Sequence, residues 1–115
     1  MVQSPVPAIP VQQAKAELFR TLAHPARIRI LELLFDGPRP VHELAAQIDI
    51  ETSNLSQQLA VLRRANLVVS QRIDGQVIYE LSADDVALLM KVARQLLESV
   101  LSDQQQLLAA VRDEA

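Results

Sequence analysis

Apolar residues recur at helical spacing along most of the chain, in stretches separated by proline, glycine or aspartate. The first predicted helix covers residues 11–23, and a second begins at Pro25, because proline suits the first turn of a helix. This second helix continues to Phe35 and is apolar almost all round, which predicts a central, buried position. Asp36-Gly37-Pro38 ends it, and a short third helix is predicted over residues 41–48.

A helix with one polar face follows. It is predicted from residue 51 or 52 to Ala65, and Asn66 ends it near its C-cap. At 100° per residue, its apolar positions fall on one narrow inward stripe, which consists of Leu55, Leu59 and Leu62.

The next segment alternates between apolar and polar residues. Residues 67–72 and 76–81 are rich in Val and Ile, and Asp74-Gly75 stands between them. Two alternating runs joined by Asp-Gly are the strongest short signal for a β-hairpin.

The last segment is predicted to be helical from Ser82 onward. Ser82 is expected to cap this helix, and Asp84 and Asp85 lie in its first turn, where the helix dipole favours anions. The apolar pattern is interrupted at Ser102-Asp103 and resumes at Leu107. The pattern therefore leaves open whether the segment is one helix or two.

In this order the elements predict a winged helix-turn-helix fold. The chain would be mainly α, with about five to six helices and a small β-wing formed by a two-stranded antiparallel hairpin. Residues 1–10 contain three prolines and are expected to form a flexible N-terminal arm. Residues 11–101 would be the winged helix-turn-helix domain with its dimerisation helices, and residues 102–115 a C-terminal helical extension.

The composition argues against several classes of protein. No apolar run approaches the ~20 residues needed to span a bilayer, and the first ten residues lack the charged and apolar regions of a signal peptide. The chain has no cysteine, so it has no disulfide framework and no thiolate metal site. We therefore expect a cytoplasmic protein without a cofactor.

The net charge of −3 originates in the C-terminal helices. Residues 1–80 carry eight Lys and Arg against eight Asp and Glu, whereas residues 81–115 carry three against six. Between Thr52 and Ile73 there are three arginines and no acidic residue. A polar, cationic helix beside a cationic hairpin is suited to a DNA duplex. DNA affinity is expected from a few placed contacts and from dimerisation, since the chain as a whole is not basic.

The outer face of the fourth helix is the predicted DNA-reading surface. Its N-terminal half offers Ser and Gln side chains suited to base edges, and its C-terminal half offers two arginines suited to phosphates. Asn54 and Gln58 lie on a flank nearer the core and are weaker candidates. With the wing included, the predicted DNA-binding residues are Thr52, Ser53, Asn54, Ser56, Gln57, Gln58, Arg63, Arg64, Arg72 and Gln76.

A solvated surface is the alternative interpretation of both elements. Polar outer faces are common on surface helices. On the wing, Arg72 and Gln76 flank a turn that also carries Asp74, which argues against deep insertion into a groove. For the wing, the sequence leaves DNA contact and simple solvation open.

Three stretches of the chain resemble the ArsR/SmtB family of winged-helix bacterial repressors. They are LAHPARIRILELL at 22–34, SNLSQQLAVLRRANLV at 53–68 and RIDGQVIYEL at 72–81. They are similar to the family's second helix, recognition helix and wing, and the resemblance covers about residues 11–101. It implies a homodimer built from the first and fifth helices, a palindromic operator, and an effector that releases the DNA.

Apolar positions on more than one face of the last helix also favour dimerisation. One small monomer has too little surface to cover them, and exposed apolar patches of that size usually mean a partner. The expected dimer interface consists of Val11, Leu18, Leu22, Leu89, Met90, Leu96, Leu97, Val100 and Leu101.

The chain lacks the residues that many relatives use to sense metals. The third helix, VHELAAQI, has no Cys, and no His occurs in residues 82–115. Asp84 and Asp85 alone would select poorly for the borderline metal ions, which prefer His or Cys. His24 is expected to be an N-cap or packing residue and His42 to be exposed. No metal site is predicted, and the effector is not identified.

Other functional classes fit less well than a DNA-binding repressor. A protein-interaction or dimerisation module on the same scaffold, without its own operator, would leave the outer face of the fourth helix without a task. An enzyme is not expected, because the sequence has no Gly-rich phosphate loop and no Ser-His-Asp constellation that can be placed. His42 and Glu43 diverge by about 100° on a helix and do not act as one unit.

Overall fold

The computed structural model describes residues 9–113, which form five α-helices and a small antiparallel sheet. The helices are α1 Val11–Leu22, α2 Pro25–Leu33, α3 Val41–Ile48, α4 Thr52–Arg64 and α5 Asp84–Asp113. The strands are β1 Arg39–Pro40, β2 Val68–Ile73 and β3 Gln76–Leu81. These elements form the predicted winged helix-turn-helix. Most of the expected N-terminal arm, residues 1–8, lies outside the described residues.

One aliphatic core joins the helices to the hairpin. Helix α2 contributes Ile30 and Leu31, and α4 contributes the predicted stripe of Leu55, Leu59 and Leu62, all of them buried. The two helices pack directly against each other. The inner face of α4 is therefore held firmly, and its opposite face is free to meet another molecule.

Helix α2 is shorter and less enclosed than its apolar pattern predicted. It ends at Leu33, and a single 3₁₀ turn over Leu34–Asp36 follows it. Ile28 and Phe35 are exposed in the monomer, although an all-round apolar helix was expected to be buried. When a helix is apolar on every side, its sequence does not indicate which side packs against the protein. The pattern therefore did not reveal that part of α2 borders an open groove beside α1 and α5.

The sheet has three strands, one more than the sequence predicted. The order is β1-β3-β2, so β3 is central and pairs with β2 across the hairpin and with β1 on its other edge. Strand β1 has only two residues, Arg39 and Pro40. Proline is unusual in strands and occurs mainly at edges, so the sequence of this segment gave no strand signal. The Arg39 guanidinium also donates to the Leu33 carbonyl at 2.8 Å, which fixes β1 against the end of α2.

The predicted hairpin turn is confirmed. Asp74 and Gly75 both have positive φ, 51° and 80°, as a two-residue type I′ turn requires. Ile73 pairs with Gln76 across the turn, and the ladder continues to Val68 opposite Leu81.

The capping predictions have mixed outcomes. His24 was expected to be an N-cap or a packing residue. It is the N-cap of α2, since its Nδ1 accepts from the Ala26 amide at 3.2 Å. His42 is exposed, as expected. Helix α5, however, begins at Asp84, and Ser82 lies one residue before the cap position, where the Ala83 carbonyl accepts from the Val86 amide. The prediction that Ser82 caps α5 is therefore wrong.

The last segment is one helix. Helix α5 runs unbroken for 30 residues and passes through Ser102-Asp103, because polar residues interrupt an apolar stripe without interrupting backbone hydrogen bonding. Asp84 and Asp85 occupy its first turn, as predicted. The predicted boundary between the winged helix-turn-helix domain, residues 11–101, and the C-terminal extension therefore falls inside this helix.

Candidate nucleic-acid interface

The outer face of α4 is exposed along its whole length. Among the predicted contact residues on this helix, all but one are exposed, namely Thr52, Ser53, Asn54, Ser56, Gln57, Arg63 and Arg64. No Asp or Glu occurs between Thr52 and Arg64. Ala60, in the middle of the face, is half-buried and has only a methyl side chain, so no long side chain covers the helix backbone there. The surface is therefore polar, cationic at one end, and low in its centre.

The backbone at the C-terminal end of α4, which carries the two arginines, is hydrogen bonded into a defined turn. Leu67 N–H donates to the Leu62 carbonyl and Asn66 N–H to the Arg63 carbonyl, both at 3.0 Å, which is the double hydrogen bond of a Schellman motif. Asn66 has the positive φ of 60° that this motif needs, so the predicted stop at Asn66 is confirmed. Arg64 is the last residue of the helix and therefore lies within the segment that this motif closes.

The arginines of the candidate surface form no ion pair within the described residues. Within residues 9–113 the ion pairs involve Arg39 with Asp36 and Glu43, and Arg94 with Glu98. None of them involves Arg63, Arg64 or Arg72. These three guanidinium groups are exposed and therefore available to phosphates.

Gln58 differs from the other predicted contact residues because it is buried. Only 9% of its surface is accessible, and both ends of its amide are hydrogen bonded inside the protein. Its Oε1 accepts from Arg27 Nε at 2.8 Å, and its Nε2 donates to Asn54 Oδ1 at 3.0 Å. Gln58 is thus placed to support its neighbour Asn54 within the recognition helix.

Arg27 is a residue beside the candidate site that sequence reasoning missed. It lies on α2, and besides Gln58 it contacts the Thr21 carbonyl through Nη1 at 3.0 Å. A signal was present in the sequence. Arg27 stands in a helix otherwise dominated by apolar residues, where a half-buried guanidinium requires acceptors. Its partner on α4 is 31 positions away along the chain, and only the fold identifies it.

The two predicted wing contacts lie on opposite faces of the hairpin. Paired residues of an antiparallel ladder share a face, so Arg72 lies with Val77 on one face and Gln76 with Ile73 on the other. The face of Arg72 also carries buried Val68, which packs in the core. Arg72 therefore lies on the face of the hairpin that packs on the core at its other end, but near the exposed tip. Gln76 lies on the opposite face.

The predicted dimer-interface residues divide into two groups. Leu22 is buried in the monomer core, and Leu18, Leu89 and Met90 are half-buried against it. The others are exposed, namely Val11, Leu96, Leu97, Val100 and Leu101. Several members of both groups line one apolar groove between α1, α2 and α5.

The described residues contain neither a cluster of metal ligands nor a membrane-spanning helix. Between residues 9 and 113, no three His, Asp or Glu side chains are grouped as a metal site would need. Over the same residues, no helix combines the length and apolar character required to cross a membrane.

Comparison with known proteins identifies the family. Residues 24–70 match the family described as bacterial regulatory protein, arsR family. The chain is 52% identical over 104 residues to the HTH-type transcriptional regulator Rv0081 of Mycobacterium tuberculosis, covering 90% of this chain and 91% of that protein. It is 42% identical over 88 residues to the biofilm growth-associated repressor of Agrobacterium fabrum, covering 76% and 75%.

Solved structures agree with this comparison. The crystal structure of Rv0081 aligns with a TM-score of 0.79 at 53% identity, over 84% of this chain and 98% of that one. The homodimeric winged helix-turn-helix DNA-binding domain of Mb0332 from Mycobacterium bovis, solved by NMR, aligns with a TM-score of 0.74 at 26% identity, over 81% and 86%. The chain therefore belongs to the ArsR family of DNA-binding transcriptional regulators, a family of winged helix-turn-helix proteins and not of enzymes.

Proposed function

We propose that this chain is a dimeric, sequence-specific repressor that places α4 of each subunit in successive major grooves of a palindromic operator. The outer face of α4 carries the proposal, because it is exposed and free of carboxylates while the inner face of the same helix is buried. A firmly packed helix with a polar, cationic outer face suits the major groove, which admits one α-helix. Simple solvation would explain the polarity but not the absence of acidic residues.

The contacts divide between bases and phosphates. Ser53, Ser56 and Gln57 lie on the exposed face and have the donors and acceptors that read base edges. Thr52 and Asn54 belong to the first turn, the part of a recognition helix that usually approaches the bases. The exposed arginines Arg63, Arg64 and Arg72 bind phosphates in this proposal, and Gln76 on the outward wing face contributes less.

Dimerisation through α1 and α5 would set the distance between the two recognition helices. The exposed apolar residues of these helices support this proposal, and so does the homodimeric state of the Mb0332 domain. A palindromic site with half-sites about 34 Å apart follows from two-fold symmetry. Repression is supported by the similarity to the biofilm growth-associated repressor.

Release from the operator would not depend on a Cys or His metal site. The sequence has no Cys and two His, and one of these, His24, already uses its Nδ1 as the cap of α2. We propose a signal of another chemical class. The cytoplasmic location expected from the sequence stays a prediction.

Selection from a pool of random duplexes tests the proposal. The purified full chain should enrich a palindrome, and fluorescence anisotropy should show tighter binding to it than to a scrambled duplex. Gln57→Ala and Ser56→Ala should weaken operator binding by about tenfold, with a smaller effect on scrambled DNA, since a base contact is worth ~1–3 kcal/mol. Gln105→Ala, an exposed position of α5, is the matched control and should bind like the parent.

Failure to enrich any sequence would contradict the proposal. In that case the alternative, an interaction or dimerisation module without its own operator, would account better for the apolar surface of α5. Equal binding of the operator by the parent, Gln57→Ala and Ser56→Ala would instead show that the recognition face is wrongly assigned.

A further inference from the structure

Three hydrogen bonds connect the end of α1 to the first turn of α4. Arg27 on α2 donates from Nη1 to the Thr21 carbonyl at 3.0 Å and from Nε to Gln58 Oε1 at 2.8 Å. Gln58 Nε2 then donates to Asn54 Oδ1 at 3.0 Å. The guanidinium at the centre of this series can only donate hydrogen bonds. The series ends on Asn54, an exposed side chain of the candidate DNA surface.

The guanidinium dictates the direction of every bond in this series. Arginine has donors only, so the amide end of Gln58 that faces Arg27 must be its oxygen. The other end of Gln58 is then an NH₂ group, which needs an acceptor, and Asn54 supplies its Oδ1. The NH₂ group of Asn54 must consequently face away from Gln58. This assignment follows from the chemistry of the donors alone.

Burial makes the arrangement stable. Gln58 is 9% exposed, so its amide has little access to water as a substitute partner. If Asn54 turned its amide by 180°, two NH₂ groups would face each other and a buried donor would lose its acceptor, which is unfavourable. In the described part of the chain no buried side-chain nitrogen or oxygen lacks a partner, so the network leaves no buried atom unpaired.

We propose that Arg27 and Gln58 are positioning residues that fix Asn54 as a hydrogen-bond donor toward DNA. Asn54 Nδ2 would donate to a base-edge acceptor of the operator, such as purine N7. This inference rests on the proposed function, because it assumes that α4 meets DNA. It makes Asn54 a specificity determinant whose hydrogen-bonding character is set by a residue of another helix.

The substitution Gln58→Glu tests the direction of the network, because a carboxylate has two acceptors and no donor. One oxygen keeps the bond from Arg27, and the other accepts from Asn54 Nδ2. Asn54 would then turn its oxygen toward solvent. The expected effect is a reversal of hydrogen-bonding character at Asn54 with the fold retained.

Side-chain NH₂ exchange measured by NMR reports this reversal without DNA. In the parent, the Gln58 NH₂ protons should exchange slowly and those of Asn54 quickly. In Gln58→Glu, the Asn54 protons should become protected, by at least severalfold in exchange rate. Gln57→Glu has the same charge change on an exposed neighbour and should leave Asn54 exchange as in the parent. Unchanged, fast exchange at Asn54 in folded Gln58→Glu would overturn the proposal.

The parent alone provides a second test in case Gln58→Glu does not fold. Protection of the Asn54 NH₂ group and rapid exchange of the Gln58 NH₂ group in the parent would be the opposite of the proposed direction and would overturn it. Slow exchange at Gln58 and fast exchange at Asn54 supports it.

Binding measurements then identify the acceptor. With the selected operator, Gln58→Glu should change the preferred base pair at one position in each half-site, whereas Gln57→Glu should act at a different position. A 7-deazapurine substitution should weaken parent binding about tenfold if the acceptor is N7, and Asn54→Ala should be insensitive to it. A parent whose Asn54-dependent binding is weakened by a methylphosphonate and by no base substitution would contradict the proposal.

These outcomes separate the two proposals. A parent that selects no DNA sequence contradicts the proposed function, while the exchange measurements still decide the direction of the network. A parent that selects an operator, together with a Gln58→Glu variant that keeps every base preference, contradicts this inference only.

Discussion

At the scale of single residues, the polar side chains of α4 perform two different tasks. Those on the outer face are exposed and unpaired with acids, whereas Gln58 is buried and tied to Arg27. Residue type alone does not distinguish them, because Gln57 and Gln58 are adjacent and chemically identical. Their directions differ by about 100° on the helix, and this rotation separates a surface contact from an internal support.

Loss of a phosphate-binding arginine should weaken DNA binding without changing sequence preference. For Arg64→Ala we expect lower affinity for operator and scrambled DNA alike, and a salt slope reduced by about one. Anisotropy titrations across a salt series measure both quantities. Arg112→Ala removes an exposed cation from the far end of α5 and should leave the slope unchanged. A slope equal to the parent's in Arg64→Ala would place this guanidinium away from the phosphates.

At the scale of elements, the position of α4 depends on how the chain leaves it. The Schellman motif at Asn66 satisfies the last carbonyl groups of α4 and turns the chain directly into β2. The connection before α4 uses a second left-handed residue, Asp49, with φ 59°. Two short left-handed corners thus fix the recognition helix at both ends, and they explain why non-glycine residues with short polar side chains occur there.

Substitutions at Asn66 should distinguish the contribution of its left-handed backbone conformation to stability from that of its side chain. Asn66→Ala should lower the free energy of unfolding by about 1 kcal/mol, since alanine pays a steric cost in the left-handed region. Asn66→Gly should be close to the parent or slightly more stable, because glycine adopts positive φ freely. Urea unfolding at one fixed protein concentration compares the three proteins. Greater stability of Asn66→Ala than of Asn66→Gly would contradict this account.

At the scale of the whole molecule, the monomer is too extended to cover its own apolar surface. Its radius of gyration is 18.9 Å, against about 13 Å for a compact domain of this length. Helix α5 accounts for much of the difference, since 30 residues span about 45 Å. Along its exposed side lie large apolar residues in successive turns, among them Leu88, Val92 and Leu96. This surface is the strongest structural argument for a second subunit.

A charge placed on this apolar side should break the proposed dimer. Leu96 is 65% exposed in the monomer, so Leu96→Asp should leave the monomer fold intact while opposing burial against a partner. Sedimentation velocity should show monomer, and operator affinity should fall at least tenfold because the paired half-sites are no longer bound together. Gln105→Asp places the same charge at an exposed position about 180° around α5 from Leu96 and is the control. A dimer of unchanged affinity in Leu96→Asp would exclude this side of α5 as the interface.

The local signals of the sequence were sufficient for most of the architecture. The stripe of α4, the proline start of α2 and the Asp-Gly turn each depend on neighbouring residues, and all three are confirmed. Two of the wrong predictions depended on segments distant along the chain. Strand β1 exists because β3 offers it an edge, and Ile28 is exposed because it lines the open groove between α2 and α5.

The candidate site shows the same division. An exposed, acid-free helix face could be predicted from helical periodicity and charge, because both are properties of one short segment. The pairing of Arg27 with Gln58, and the opposite orientations of Arg72 and Gln76, required the packing of α2 on α4 and the register of the hairpin. Sequence by itself thus determined the family, most of the elements and the candidate face for DNA. Tertiary structure decided which side chains on that face are free to bind and which hold the others in place, since contacts between distant segments form only when the chain folds.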